Sequence, residues 1–223
     1  MATRFYLPSS GSAPLASLAF DANWECTDST TRYPCYITKQ NSSLTDRART
    51  WPVNTSVQWV FFQYQSESMT VAYSWTTGDT VSMVIRGLQA AAQTDSHLAY
   101  SIRIVSSDGA TVRGTVGLYH EISTEFTTSA ATRIHNARTN GASNFNSSIG
   151  DRIIIEIGFH GVTPSSTAVT LRHGDPSATA DFALTEALTT DLCPWVELSR
   201  TVSFSVVYPD PLVFSTAWKA VTS

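Results

Sequence analysis

The chain has 223 residues, of which 42% are hydrophobic and only 14% are charged, and its formal net charge is −4 at pH 7. Soluble domains usually carry roughly 25% charged residues, and a nucleic-acid-binding surface needs a cationic cluster that this sequence lacks. No apolar run approaches the roughly 18 residues that a membrane-spanning helix requires, so neither nucleic acid nor a membrane is an expected partner.

Residue preferences favour strands over helices. Ser and Thr are abundant, two lysines stand against twelve arginines, and the chain holds six Trp, eight Tyr and ten Phe. Helix surfaces rely on Lys, Glu and Ala, whereas Thr, Val, Ile and aromatic residues favour strands. The composition therefore predicts an all-β protein with a hydroxyl-rich surface, in one domain or in one domain with an arm.

Residues 1–55 differ from the rest of the chain. Four prolines interrupt them and they show little periodicity, yet they carry large aromatic residues. Such a segment is unsuited to be a free linker. We predict an extended N-terminal arm in which Arg4, Phe5, Tyr6 and Trp24 dock, either on the arm's own domain or on a neighbouring subunit.

Alternation of apolar and polar residues begins at residue 57 and predicts a series of strands. In chain order these are 57–64, 68–75, 80–88, 99–105, 110–119, 132–138, 150–161, 166–175 and 195–208. The "SSDG" turn at 106–109 makes the fourth and fifth the clearest hairpin. With turn signals about every ten residues and no convincing helix, residues 56–223 fit a β-sandwich. A jelly roll is favoured over an up-and-down barrel because jelly rolls use long connections.

The stretch "GDRIIIEIGFHG", residues 150–161, combines the densest aliphatic run with charged residues. Period 2 places Ile153, Ile155, Ile157 and Phe159 on one face, which predicts a central strand with that face in the core. Glu156 falls on the other face. A solvated position or an arginine partner is the simpler account of it, and a glycosidase carboxylate is the alternative.

No catalytic motif is present, and five single histidines lack metal-ligand spacing, so no catalytic residue, metal or cofactor is predicted. Aspartates beside glycines are typical turn caps, with calcium at one such loop as the alternative. Cys26, Cys35 and Cys193 are interpreted as buried thiols, with a Cys26–Cys35 bridge as the alternative.

Aromatic side chains on the predicted strands are the remaining candidates for a binding site. Trp59, Tyr64 and Trp75 could stack on sugar rings if they face outward. Core packing is the competing interpretation of the same three residues.

Several stretches together resemble proteins encoded among the virion structural genes of tailed phages and prophages. They are "TRFYLPSSGSAPLASLAFDANWE", "IRIVSSDGATVRGTV", "GDRIIIEIGFHG", "TLRHGD" and "TTDLCPWVELSRTVSF". The resemblance spans most of the chain, but none of these stretches carries chemistry. It implies a virion component, either a capsid decoration (cement) protein or a tail-associated protein.

The function expected from the sequence is therefore structural and non-enzymatic. We expect a protein made in the host cytoplasm without a signal peptide, which stabilises a capsid shell by binding the major capsid protein or other virion proteins. A homo-oligomer, such as a trimer, would bury aromatic residues that are exposed to solvent in a monomer. A tail- or fibre-associated module that binds a glycan or receptor is the alternative, and a polysaccharide depolymerase is a third.

Overall fold

The computed structural model describes residues 2–27, 30–50, 56–162 and 168–205. Thirteen strands are found in these ranges, together with one 3-10 turn at Ala92–Thr94. The strands are β1 (Thr3–Tyr6), β2 (Thr31–Pro34), β3 (Thr45–Thr50), β4 (Val57–Gln65), β5 (Ser74–Trp75), β6 (Val81–Gln89), β7 (Ser96–Val105), β8 (Val112–Glu125), β9 (Ala131–Arg138), β10 (Phe145–Asn146), β11 (Arg152–Gly161), β12 (Ala168–His173) and β13 (Trp195–Leu198).

One layer is a six-stranded antiparallel sheet organised around β6. Its order is β1-β13-β6-β12-β3, and β9 pairs with β6 as well. The first half of β6 pairs with β13 and the second half with β12, so these two strands share one edge of β6. β9 occupies the other edge. The long strand β6 therefore holds the layer together.

The other layer is a five-stranded sheet with the order β2-β4-β11-β7-β8. The isoleucine-rich strand β11 is central, as predicted. It pairs with β7 along its whole length and with β4 from Ile154 to Gly161. β2 joins β4 in parallel, whereas every other pair in this sheet is antiparallel. A small third sheet pairs β5 with β10.

The inner faces of the two large sheets share one hydrophobic core. Ile155 and Ile102 contribute to it from the five-stranded sheet, and Met83, Leu171 and Val196 contribute from the six-stranded sheet. All five are buried. Burying each such side chain contributes about 1.5–3 kcal/mol, so face-to-face packing of the sheets dominates the stability of the fold. The predicted all-β sandwich is confirmed, whereas the jelly-roll strand order stays a prediction.

Irregular segments cover the outer faces of both sheets. Residues 15–24 place Leu18 and Trp24 on the five-stranded sheet. Residues 181–193 place Phe182 on the six-stranded sheet beside Val84 and Trp195. The sandwich therefore buries apolar side chains on the outside of each sheet as well as between the sheets.

The described residues of the segment 1–55 pair with strands of both large sheets. The described part of this segment supplies β1, β2 and β3, which pair with β13, β4 and β12 respectively. These short strands form their backbone hydrogen bonds with strands that are distant in sequence. Local periodicity cannot predict such pairings. The boundary predicted at residue 55 therefore divides strands that share sheets.

The hairpin at residues 99–119 is confirmed, and Gly109 adopts the positive φ of 76° that its turn requires. The predicted strand at 68–75 is largely wrong. Only Ser74–Trp75 forms a strand there, and Met69 makes an isolated bridge to Phe204. Cys35 and Cys193 are buried, and no disulfide joins Cys26 to Cys35. Among the described residues, no helix is long and apolar enough to span a membrane.

Candidate functional site

The three rings considered for sugar stacking lie inside the protein. Trp59, Tyr64 and Trp75 all belong to the main core and are at most 4% exposed. Trp59 packs near Phe159, and Trp75 stacks on Phe145 with ring centroids 5.9 Å apart. A sugar could not reach these faces without unpacking the core, so the core-packing interpretation fits their placement.

Arg4, Phe5 and Tyr6, which we predicted to dock, contact their own domain through β1. Phe5 is fully buried in the core. The Arg4 guanidinium lies 4.0 Å from the Trp195 ring centroid and 3.0 Å from the Asp181 carboxylate. The Tyr6 hydroxyl donates to Asp181 at 2.9 Å. Partial burial alone would raise the pKa of Asp181, but hydrogen bonds from Lys39, Tyr6 and Arg4 outweigh it and lower that pKa.

Trp24 docks on the outer face of β11. Its contact there accounts for Glu156, the charged residue within the isoleucine run of that strand. Its indole N–H donates to the Glu156 carboxylate at 2.8 Å, and Gln63 donates to the other oxygen at 2.8 Å. Arg103 forms an ion pair with Glu156 at 3.0 Å, and the backbone N–H of Asp21 adds a further hydrogen bond. Glu156 therefore has the predicted arginine partner, but it is fully buried rather than solvated.

The Glu156 cluster is a structural clamp for residues 19–24. Burial raises the pKa of Glu156, and the positive charge of Arg103 opposes that rise. The backbone carbonyl of Ala19 accepts hydrogen bonds from Arg103 and Gln63, which ties the covering segment to the sheet. A carboxylate whose oxygens are occupied in this way offers no lone pair to a substrate.

His173, at the end of β12, is a second buried ionisable side chain. Its ring stacks on Phe62 with centroids 4.3 Å apart, and its Nδ1 lies 2.8 Å from the Tyr64 hydroxyl oxygen. Burial, followed by the nearby positive charge of Arg47, lowers its pKa from the usual 6.5 to about 3. The ring is therefore neutral at physiological pH and contributes to packing.

Histidines that look isolated in the sequence meet in one place. His120 of β8 and His160 of β11 lean toward each other across β7, with ring centroids 4.7 Å apart. The Ser56 hydroxyl lies 3.2 Å from Nε2 of His160. Nowhere in the described parts of the chain do three His, Cys, Asp or Glu side chains come together to hold a metal ion. The pairing of these rings was not predictable from single-strand spacing.

Among the described residues, one end of the sandwich carries most of the large apolar side chains that remain exposed. This is the end where β2, β4 and β7 finish and where β8 and β11 begin. Ile37, Val71, Val112 and Ile149 lie there with exposed fractions of 51%, 49%, 53% and 72%. We call these four residues the apolar end. Val162, 39% exposed, follows β11 at the opposite end.

Hydrogen bonds fix the loop that carries Ile149 and the hairpin turn that precedes Val112. The buried Asp151 carboxylate accepts from the Ser148 backbone N–H at 2.7 Å and from the Arg113 guanidinium at 3.0 Å. In the hairpin turn, the Ser106 hydroxyl and the Ala110 backbone N–H donate to Asp108 and lower the pKa of its carboxyl. A surface held in this way loses little conformational entropy when it binds a partner.

A cavity of about 290 Å³ lies beside Ile37 at this end. Phe5, Cys35, Ile37 and Phe204 make its wall mostly apolar, and Glu67 adds one carboxylate. Small-molecule sites span roughly 300–1,000 Å³, so this cavity lies at their lower limit. Burial raises the pKa of the Cys35 thiol, which keeps that thiol protonated and poorly nucleophilic.

Comparisons with known proteins do not assign a family. No protein-family model matches the chain, and no curated protein matches it either. Among solved structures, the chain is similar to chains of infectious bursal disease virus, Gx and Gt strains, at 9% identity and TM-scores of 0.25 and 0.30. These matches cover 71% and 76% of this chain but only 36% and 45% of the viral chains.

A hydrolase of the CocE/NonD family from Staphylococcus aureus matches to a similar degree. Its TM-score is 0.26 at 9% identity, over 92% of this chain and 34% of the hydrolase. The chain thus spans less than half the length of each of these proteins. Because viral and enzyme chains score alike, this likeness does not discriminate between a structural and a catalytic role.

Proposed function

We propose that this chain is a non-enzymatic structural protein of a phage virion, and that it decorates the capsid shell by binding through its apolar end. The apolar end carries the proposal, because it presents four exposed apolar side chains, and because hydrogen bonds to Asp151 hold the loop that carries Ile149. The resemblance of the sequence to phage virion proteins is the reason for proposing a phage particle as the assembly to which this chain binds.

The covered faces of the sandwich support attachment through an end. Residues 15–24 and 181–193 already occupy apolar positions outside the two sheets. The side chains predicted to dock on a partner are engaged internally, as Trp24 shows by its bond to Glu156. Removing the exposed half of an aliphatic side chain from water contributes roughly 1 kcal/mol, so the four residues together favour binding appreciably.

The partner that fits this role is the major capsid protein or another virion protein present in many copies. Repeated copies on a particle make even modest single-site affinity sufficient, because avidity adds to it. The proposal includes synthesis in the host cytoplasm and self-association, for example as a trimer, around a capsid position. The alternative of a tail- or fibre-associated glycan module loses its support with the burial of Trp59, Tyr64 and Trp75.

Co-sedimentation with capsid shells that lack this chain tests the proposal. Val71→Asp and Ile149→Asp place charge on the apolar end, and Val162→Asp is the matched control because it changes an exposed valine at the opposite end. We expect at least tenfold weaker binding for the first two variants and unchanged binding for the control. Equal binding by all three would refute attachment through this end.

The non-enzymatic part of the proposal has its own test. The purified protein is incubated with host envelope polysaccharide, and released reducing sugar is measured against a buffer blank. We expect no release above the blank. Steady release that scales with protein concentration would make the chain a depolymerase instead.

A further inference from the structure

Strand β3 ends the six-stranded sheet on one side, and among the described residues no strand lies beside its second edge. The other outer strands of this sheet are covered. The Tyr6 N–H of β1 donates to the Tyr36 carbonyl at 2.9 Å, and the Thr132 N–H of β9 donates to the Leu188 carbonyl at 2.9 Å. Within the described ranges, only β12 bonds to β3 through its backbone. We call the free side of β3 the open edge.

The strand register identifies the backbone groups that the open edge presents. The Ala90 N–H donates to the Ala168 carbonyl at 2.8 Å, so Ala168 of β12 bonds toward β6. Thr50 lies opposite Ala168 in the pair of β12 and β3, and its N–H and C=O groups therefore face away from β12. Because bonding direction alternates along a strand, Ala48 and Asp46 face the open edge in the same way.

Two arginines of β3 place positive charge along the open edge. Arg47 and Arg49 share one face of the strand, since alternate residues point to the same side. The Arg47 guanidinium donates to the Tyr33 hydroxyl of the other sheet at 3.0 Å, and the Arg49 guanidinium lies 5.7 Å from the Phe61 ring centroid. Arg49 also donates to the Ala48 carbonyl at 3.3 Å, as expected if that carbonyl faces away from β12. Both side chains thus lean over the side of the sandwich next to the open edge.

The acidic residue of β3 does not neutralise these two charges. Asp46 lies on the opposite face of the strand and forms an ion pair with Arg172 of β12, with Nε and Oδ1 2.6 Å apart. The hydrogen bond from Arg172 lowers the pKa of Asp46, so the carboxylate stays ionised and paired. The face that carries Arg47 and Arg49 is therefore positively charged.

A second copy of β3 fits the open edge poorly. Two strands that pair antiparallel around a twofold axis place residues of the same face opposite each other. Arg47 would then lie opposite Arg47 or Arg49 of the second copy, and like charges directly opposite destabilise a sheet. Charged residues at sheet edges commonly prevent such self-pairing. The same two charges attract a strand that carries acidic residues.

We propose that the open edge binds an extended acidic segment of another protein, which adds to the sheet as a further strand with Asp or Glu opposite Arg47 and Arg49. Backbone hydrogen bonds provide affinity in this mode of recognition, and alternate side chains provide specificity. In an antiparallel pair, Arg47 and Arg49 occupy the non-hydrogen-bonded positions, where opposed side chains lie closest. Binding here needs neither the apolar end nor a capsid, so it is tested separately from the proposed function.

A charge swap tests the electrostatic part of the proposal. The full chain is titrated, at low ionic strength, against a fluorescein-labelled peptide in which Glu alternates with Thr, and binding is followed by fluorescence anisotropy. The matched peptide has Lys in place of each Glu. We expect the wild type to bind the Glu peptide at least tenfold more tightly, and the double variant Arg47→Glu/Arg49→Glu to prefer the Lys peptide.

A proline substitution tests whether the backbone of the open edge takes part. Proline is tolerated at an edge position whose N–H faces solvent, and Ala48→Pro removes one N–H from the open edge without removing a bond to β12. Ala48→Ser keeps that N–H and is the control. We expect at least tenfold weaker binding of the Glu peptide by Ala48→Pro and unchanged binding by Ala48→Ser, with circular dichroism spectra like that of the wild type.

Three results would overturn the proposal. Equal affinity of the wild type for the two peptides, or no binding of either, would remove the acidic partner. Undiminished binding by folded Ala48→Pro would show that the arginines attract the peptide without strand addition. A dimer of the peptide-free protein that Ala48→Pro dissociates, measured by analytical ultracentrifugation, would assign the open edge to a second copy.

Discussion

Replacing His173 by glutamine should remove a large part of the acid sensitivity of the fold. The ring is 1% exposed, stacks on Phe62 and hydrogen-bonds to Tyr64. Its pKa of about 3 lies below the ordinary value of 6.5, so the unfolded chain gains a proton at a higher pH than the folded chain does. Stability from this group is complete above pH 6.5 and is lost as the pH falls toward 3.

The size of the effect follows from the two pKa values. Each unit of difference is worth about 1.4 kcal/mol, so the penalty grows to about 2 kcal/mol at pH 5 and about 3 kcal/mol at pH 4. Glutamine keeps a hydrogen-bonding group near Tyr64 but cannot take up a proton in this range. His173→Gln therefore begins less stable at neutral pH, because it loses the stacked ring, and then loses less stability on acidification.

Urea unfolding of both proteins at pH 7, 6, 5 and 4 measures this. Contributions from carboxylates cancel when the free energies of unfolding of the two proteins are subtracted at each pH. The advantage of wild type over His173→Gln is expected to shrink by about 3 kcal/mol between pH 7 and pH 4. A difference that stays constant across the series would show that His173 is not held neutral by its surroundings.

Substitutions at two positions of β11, Glu156 and Gly158, test the packing around that strand. Glu156→Leu should cost about 3–5 kcal/mol in urea unfolding, because it leaves the Arg103 charge buried without its partner and removes the acceptor for Trp24 and Gln63. Glu156→Gln also removes the charge but keeps one acceptor oxygen, so it should cost less. Equal losses would contradict a contribution from the hydrogen bonds, and a loss near zero for Glu156→Leu would contradict the importance of the charge pair. Gly158→Ala should destabilise the protein strongly, because a Cβ at this position would lie 2.0 Å from the Trp59 carbonyl oxygen. Gly78→Ala is the control and should change Tm little, because the atom nearest to a Cβ there is 3.7 Å away. Similar Tm values for the two alanine variants would argue against this close approach.

Strong periodicity made the centre of each sheet predictable. β11, β6 and the β7–β8 hairpin carry alternating apolar residues and turn residues, and these local signals agree with the fold. Strands β1 to β3 were missed because they are short and acquire their partners from distant parts of the chain. Residues 68–75 failed in the opposite way, since real alternation there did not give one continuous strand. Residues 68–70 bond to residues 203–205, whereas Ser74–Trp75 pairs with β10.

The candidate site was harder to predict for a physical reason. Whether an apolar side chain is exposed depends on what the rest of the chain places over it. Ile149 and Trp24 are both apolar residues outside regular strands, yet Trp24 is covered and bonded to Glu156 while Ile149 is 72% exposed. The sequence alone therefore favoured aromatic residues as the candidate binding surface, whereas the structure exposes smaller aliphatic residues.

Cryo-electron microscopy of the particle that contains this chain tests the central claim most directly. The account predicts sandwich-shaped density on the outside of the shell, with Ile37, Val71, Val112 and Ile149 turned toward the capsid protein. Density that meets the shell through a sheet face or through the end that bears Val162, or the absence of this chain from the purified particle, would contradict it.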